Sequence, residues 1–79
     1  MLVIEFPPIE AVAALCNRLP PGTRVELLWL LDPTSPLKPG DLGTVQFVGS
    51  IGTVFCLWDR GFDKGILWGM GEVRKLGAE

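Results

Sequence analysis

From Thr23 to Leu31 apolar side chains recur at every second position. Val25, Leu27, Trp29 and Leu31 point one way, with Arg24 and Glu26 opposite, and this alternation predicts a strand. Leu28 and Leu30 break the alternation by joining the polar face, so the second half of the strand is apolar on both sides. The same double pattern returns at Thr53–Trp58, where Val54, Cys56 and Trp58 share one face and Phe55 and Leu57 the other. Gly43–Val48 reads as the antiparallel partner of that segment. Gly49-Ser50-Ile51-Gly52 is the connection, a hairpin-length loop with glycines available for positive φ. Asp59-Arg60-Gly61 reads as a tight turn with Gly61 left-handed. Ile66, Leu67 and Trp68 suggest another short strand, Gly69-Met70-Gly71 a break, and Val73–Leu76 a last edge strand.

Ahead of Thr23 the period changes. Residues Met1–Phe6 are rich in Val, Ile and Phe and predict a short strand, which Pro7-Pro8 ends. A helix follows from about Pro8 to Leu19, because proline is tolerated in a first turn whose N–H would have no partner. Ile9, Val12, Ala13, Cys16 and Leu19 recur at three- and four-residue spacing and predict its buried face. Glu10 near the N-terminal end and Arg18 near the C-terminal end both complement the helix dipole. Pro20-Pro21-Gly22 stops the helix.

Five short strands joined by glycine-rich turns predict a mainly β fold, a small, strongly bent five-stranded barrel of SH3-like type, with an N-terminal strand and one α-helix. Residues 1–21 form the strand–helix extension and residues 22–79 the barrel. The doubly apolar segments imply that one face fills the barrel while the N-terminal unit covers the other. Burying Leu28, Leu30, Phe55 and Leu57 would contribute roughly 6–12 kcal/mol, at about 1.5–3 kcal/mol per side chain. That is comparable with the net stability of a small domain, so either the helix or a partner is expected over this face. A second copy of the chain is one such partner.

Seventy-nine residues make one domain, near the lower end of what a single core supports. The net charge of −2 argues against non-specific nucleic-acid binding, which needs a basic surface. Four of the seven basic residues, Arg60, Lys64, Arg74 and Lys75, fall in the last third, but Asp63, Glu72 and Glu79 intersperse them. No apolar run approaches a membrane span and the N-terminus lacks a signal peptide's basic region, which places the chain in the cytoplasm. Cys16 and Cys56 form no CxxC, and in that compartment they read as reduced, buried thiols, with a Cys16–Cys56 bridge as the alternative.

Little in the chain carries chemistry. With no histidine, the usual zinc sites and nucleophile–base pairs lack members. Asp32, Asp41, Asp59 and Asp63 all fall in predicted turns, where aspartate caps its own backbone. No glycine-rich loop precedes a helix to cradle phosphate. The expectation is a non-enzyme with no metal and no cofactor. Prolines at 33, 36 and 39 have the polyproline II period, yet they read first as stiffening for the 32–42 loop. Trp29 and Trp58 fall on core faces, whereas Trp68 beside a glycine-rich break is placed to be half exposed.

From Pro21 on, the chain resembles a bacterial and phage family known as domain-of-unknown-function family 4314. The resemblance rests on Pro21-Gly22-Thr23-Arg24-Val25-Glu26-Leu27, Asp32-Pro33, Pro36-Leu37-Lys38-Pro39-Gly40, Gly43-Thr44-Val45, Gly52-Thr53 and Trp58-Asp59-Arg60-Gly61. The stretch at Leu67 and the pair Arg74-Lys75 complete it. The resemblance covers about residues 21–76 and leaves Met1–Leu19 outside. It implies an SH3-like barrel and a mobile-element setting, and no chemistry. The function expected on all these grounds is a small protein-binding module, an inhibitor or adaptor of anti-defence (anti-CRISPR-like) type acting on a host protein. Its contact residues would be Pro36, Leu37 and Lys38 of the proline loop, Arg60, and Trp68 with Met70. The alternative is a nucleic-acid-binding barrel similar to the KOW type, using Arg60, Lys64, Arg74 and Lys75 with Trp68 as a stacking platform.

Overall fold

The computed structural model describes residues 7–77. They form helix α1 (Ile9–Arg18) followed by strands β1 (Arg24–Leu30), β2 (Leu42–Val48), β3 (Val54–Trp58), β4 (Phe62–Ile66) and β5 (Gly71–Lys75). The fold is mainly β: all five strands lie in one antiparallel sheet, ordered β4-β3-β2-β1-β5. The strand predicted over Met1–Phe6 lies outside the described residues.

The turn chemistry follows the sequence. Gly49 and Gly52 close the β2–β3 connection, with the Gly49 N–H donating to the Thr53 carbonyl at 2.8 Å and Gly52 at φ 86°. Gly61 takes φ 104° and its N–H donates to the Trp58 carbonyl at 2.8 Å, which folds β4 back on β3. The fourth strand is displaced from its predicted place. Phe62–Ile66 pairs with β3, and Leu67–Met70 forms the turn into β5. The predicted Ile66–Trp68 strand followed the apolar run, but pairing is continuous with the Gly61 turn and carries Asp63, Lys64 and Gly65 through the sheet.

Two irregularities break the period-two pattern and bend the sheet. In β1 the register against β5 shifts between Leu27 and Trp29, and in β2 the register against β3 shifts between Val45 and Phe47. Val25 and Leu27 are buried, but beyond the shift Leu30 packs on the core and Trp29 is 39% exposed. Trp29 is therefore not the core residue that unbroken alternation predicts.

Trp58, 1% exposed, is the largest side chain of the core, and its indole Nε1–H donates to the Lys64 carbonyl at 3.1 Å. Val25, Leu27, Val45 and Cys56 surround the centre of this cluster, and Leu19 and Leu37 enter it from outside the sheet. Close approach at the centre requires Gly43, cross-strand partner of Trp58: a Cβ there would lie 2.7 Å from the indole Cε3.

Helix α1 contributes less than predicted. None of its residues is fully buried; Ile9 is 86% exposed, and Ala13 and Cys16 are exposed. Leu15 packs on the core, and Leu19 just past the helix end is buried. Glu10, Asn17 and Arg18 share one side of the helix. The apolar arc opposite is broad, and its Leu15 edge, rather than the predicted Ile9, Ala13 and Cys16, turns to the core. Nor does α1 cover the face carrying Leu28, Phe55 and Leu57. Leu57 is 46% exposed and Leu28 is exposed, while Leu30 has moved to the core side. On that open face Phe47 stacks against Phe55 with centroids 4.5 Å apart.

Candidate functional site: an apolar groove beside the helix

The β4–β5 turn and the side of α1 enclose a groove of about 580 Å³. One wall is helical: Ala11, Ala14, Leu15 and Arg18 follow each other at three- and four-residue spacing and form one stripe. Small alanines on that stripe hold the groove open. The other wall comes from the sheet. Trp29 stands at the end of β1, and Leu67 and Trp68 in the turn after β4. Val54 and Ile66, both core residues, form the floor with Val73.

The two tryptophans are fixed differently. The Trp29 indole Nε1–H donates to Glu72 Oε1 at 3.1 Å across the β1–β5 pair, so its ring is oriented with one edge wet. Trp68 is 43% exposed and lies over Gly52, where a Cβ would meet its Cε3 at 3.1 Å and the Pro7 Cγ at 3.0 Å. Gly52 thus serves both the hairpin turn and the close seating of Trp68. Its positive φ and this contact together exclude a larger residue.

Of the six residues expected from sequence to contact a partner, Trp68 alone lines this groove. Met70 is exposed in the same turn, its carbonyl accepting the Leu31 N–H at 2.8 Å. Pro36 and Lys38 are exposed on the proline loop, but Leu37 between them is 6% exposed and belongs to the core. Leu37 is thereby corrected from contact residue to anchor: its burial holds the loop down, and its side chain is unavailable to a partner. Arg60 is tied to the end of that loop through Asp41, Nε to Oδ2 at 2.7 Å. Trp29, Ala11, Ala14 and Arg18 are groove residues that the sequence reading missed. The doubly apolar end of β1 was the available signal for Trp29.

The charged side chains are organised in pairs. Arg24 holds Asp59 through two hydrogen bonds, at 2.8 and 2.6 Å, and donates to Thr44 at 2.9 Å. Lys64 pairs with Asp32 at 3.1 Å, and Arg74 with Glu26 across β5 and β1. These contacts hold three carboxyls below the usual carboxylate range. Asp59 is held by the Arg24 hydrogen bonds, Asp41 by Arg60 and the Lys38 N–H, and Asp32 by Thr34 and Lys64. Asp32 and Asp41 cap backbone as expected, accepting from the N–H groups of Thr34 and Lys38. Asp59 and Asp63 instead face other side chains, Arg24 and, for Asp63, Gln46.

Both cysteines are free. Cys56 is buried, and burial pushes its thiol up to about 11. Cys16 is exposed on α1, contrary to the expectation of two buried thiols. Among the described residues no cluster of three or more His, Cys, Asp or Glu is arranged to hold a metal ion. No helix among them is long and apolar enough to cross a membrane.

Comparison with curated proteins and with solved structures finds no match. A family model does match, that of the Domain of unknown function (DUF4314), over residues 9–76. It takes in α1 as well as the five strands, so both walls of the groove fall inside the matched region, and the chain belongs to this family.

Proposed function

We propose that the protein is a small non-catalytic protein-binding module that holds a short apolar segment of another protein in the groove between α1 and the β4–β5 turn. The observation that carries this reading is the pair of half-exposed tryptophans, Trp29 and Trp68, in a groove floored by core residues. Tryptophans that keep apolar area accessible on a rigid floor are the usual anchors of protein interfaces. The floor belongs to the core and Trp29 is held by Glu72, so little ordering cost accompanies binding. A module of this kind acts by occupying a partner's surface or bridging two partners, as an inhibitor or adaptor does.

The nucleic-acid alternative has less support. Of the four cations it needs, Arg60, Lys64 and Arg74 are engaged by Asp41, Asp32 and Glu26. Phosphate contacts would have to compete with those carboxylates.

The test is selection from a displayed library of random short peptides against the intact chain. The expected result is enrichment of apolar peptides whose binding Trp68→Ala weakens by at least about thirtyfold, a hot-spot loss of about 2 kcal/mol. Failure to enrich any peptide, or enrichment of peptides indifferent to Trp68→Ala, overturns the reading. Salt-sensitive binding of single-stranded oligonucleotides by the same preparation would favour the alternative.

A further inference from the structure

The groove does not end at Glu72 and Val73. A second, shallower depression of about 230 Å³ shares Arg18, Glu72 and Val73 with it and extends past Leu28 to Arg74 and Lys75. The two adjoin as a trough, with the tryptophans at one end and Arg18, Arg74 and Lys75 at the other. Glu72 lines that end with these three, and Glu26 stands against Arg74.

The groups at that end differ in their commitments. Arg74 is held by Glu26, and Glu72 accepts from the Trp29 indole. Arg18 lies in the last turn of α1, on the stripe that walls the groove, and has no carboxylate within ion-pair distance among the described residues. Arg18 is exposed and lines both depressions. A planar fork of donors matches a carboxylate in two-point geometry.

We propose that the segment this trough takes is apolar with an Asp or Glu side chain at one end: its apolar residues lie on Trp29 and Trp68, and its carboxylate meets Arg18. This inference rests on the protein-binding reading given above and specifies the partner's chemistry. Charge complementarity fixes the direction of the segment, since the reverse orientation would set the carboxylate against the tryptophans.

The peptides selected from the random library decide it. Enriched sequences are expected to carry Asp or Glu at a constant spacing from their apolar residues. Arg18→Gln should weaken them about tenfold, the scale of one charge-assisted hydrogen bond, while Arg18→Lys retains part of the affinity. Added salt should weaken binding to the native chain more than to Arg18→Gln. Apolar peptides without acidic enrichment, bound equally by Arg18→Gln, overturn this inference and leave the protein-binding reading standing. Absence of any enriched peptide overturns both. A chain that sediments as a dimer and becomes monomeric on Arg18→Gln makes a second copy the occupant, which also overturns the proposal.

Discussion

Replacing Gly43 by alanine is a one-carbon change with a cost that the structure sets. Gly43 is buried on β2 directly across from Trp58, and its φ lies outside the left-handed region, so space alone decides the outcome. The added Cβ would sit 2.7 Å from Trp58 Cε3, 3.0 Å from Cδ2 and 3.1 Å from the Leu57 carbonyl oxygen. The indole cannot swing aside freely, since it is 1% exposed and its Nε1–H is bonded to the Lys64 carbonyl. Restricting the unfolded chain would by itself favour alanine by about 0.4–1 kcal/mol. Overpacking opposes it with about 1–3 kcal/mol. These ranges leave a loss of about 0–2.6 kcal/mol. A 2.7 Å approach to a fixed indole puts it in the upper half, about 1.3–2.6 kcal/mol. In a domain of this size that lowers the Tm by roughly 5–21 °C. Thermal melts followed by circular dichroism measure this. The indole N–H resonance of Trp58 should shift with the substitution, while those of Trp29 and Trp68 hold. A variant as stable as the parent, or more stable, would refute the reasoning and place the indole elsewhere.

Three further outcomes are expected. A thiol reagent should label Cys16 in the native protein and reach Cys56 only on unfolding, because burial both hides that thiol and raises it to about 11; equal labelling rates would contradict the placement. Asp32, Asp41 and Asp59 are held below their unfolded values, so the stability they contribute is present above about pH 4, their unfolded range, and is lost as pH falls through their folded values. Acid titrations should therefore show a shallower decline in Asp59→Asn than in the parent, and an unchanged profile would remove the Arg24–Asp59 pair from the account. Trp58→Ala should lose about 3–5 kcal/mol in a denaturant melt and Trp68→Ala distinctly less, whereas equal losses would make Trp68 a core residue.

Strands β1, β2 and β3 were legible because period-two alternation and glycine turns agree with each other there. The turn at Gly61 was legible for the same reason, since a left-handed residue in a tight turn is a local requirement. The fourth strand was not, because its pairing with β3 carries Asp63 and Lys64 through a stretch with little apolar signal. Trp29 and Leu30 were assigned to the wrong sides because a register shift reverses every later position of a strand, and nothing in the residues of β1 marks where it falls. The candidate site was half legible. Trp68 announced itself as an aromatic beside glycines. Its partners Ala11, Ala14 and Arg18 depend on which edge of the helix's broad apolar arc turns toward the sheet. Leu37 misled for the opposite reason: a leucine between prolines looks like a displayed residue, yet it is the anchor that closes the loop on the core.

The three tryptophans are native reporters for the central claim, that the groove beside α1 receives a segment of another protein. Their indole N–H resonances, followed while a selected peptide is titrated into the intact chain, test it most directly. The account predicts that Trp29 and Trp68, which line the groove, shift together to saturation while Trp58, bonded to Lys64 within the core, stays in place. Saturable binding that leaves Trp29 and Trp68 unmoved, with shifts instead around Phe47 and Leu57 on the open face of the sheet, would contradict it.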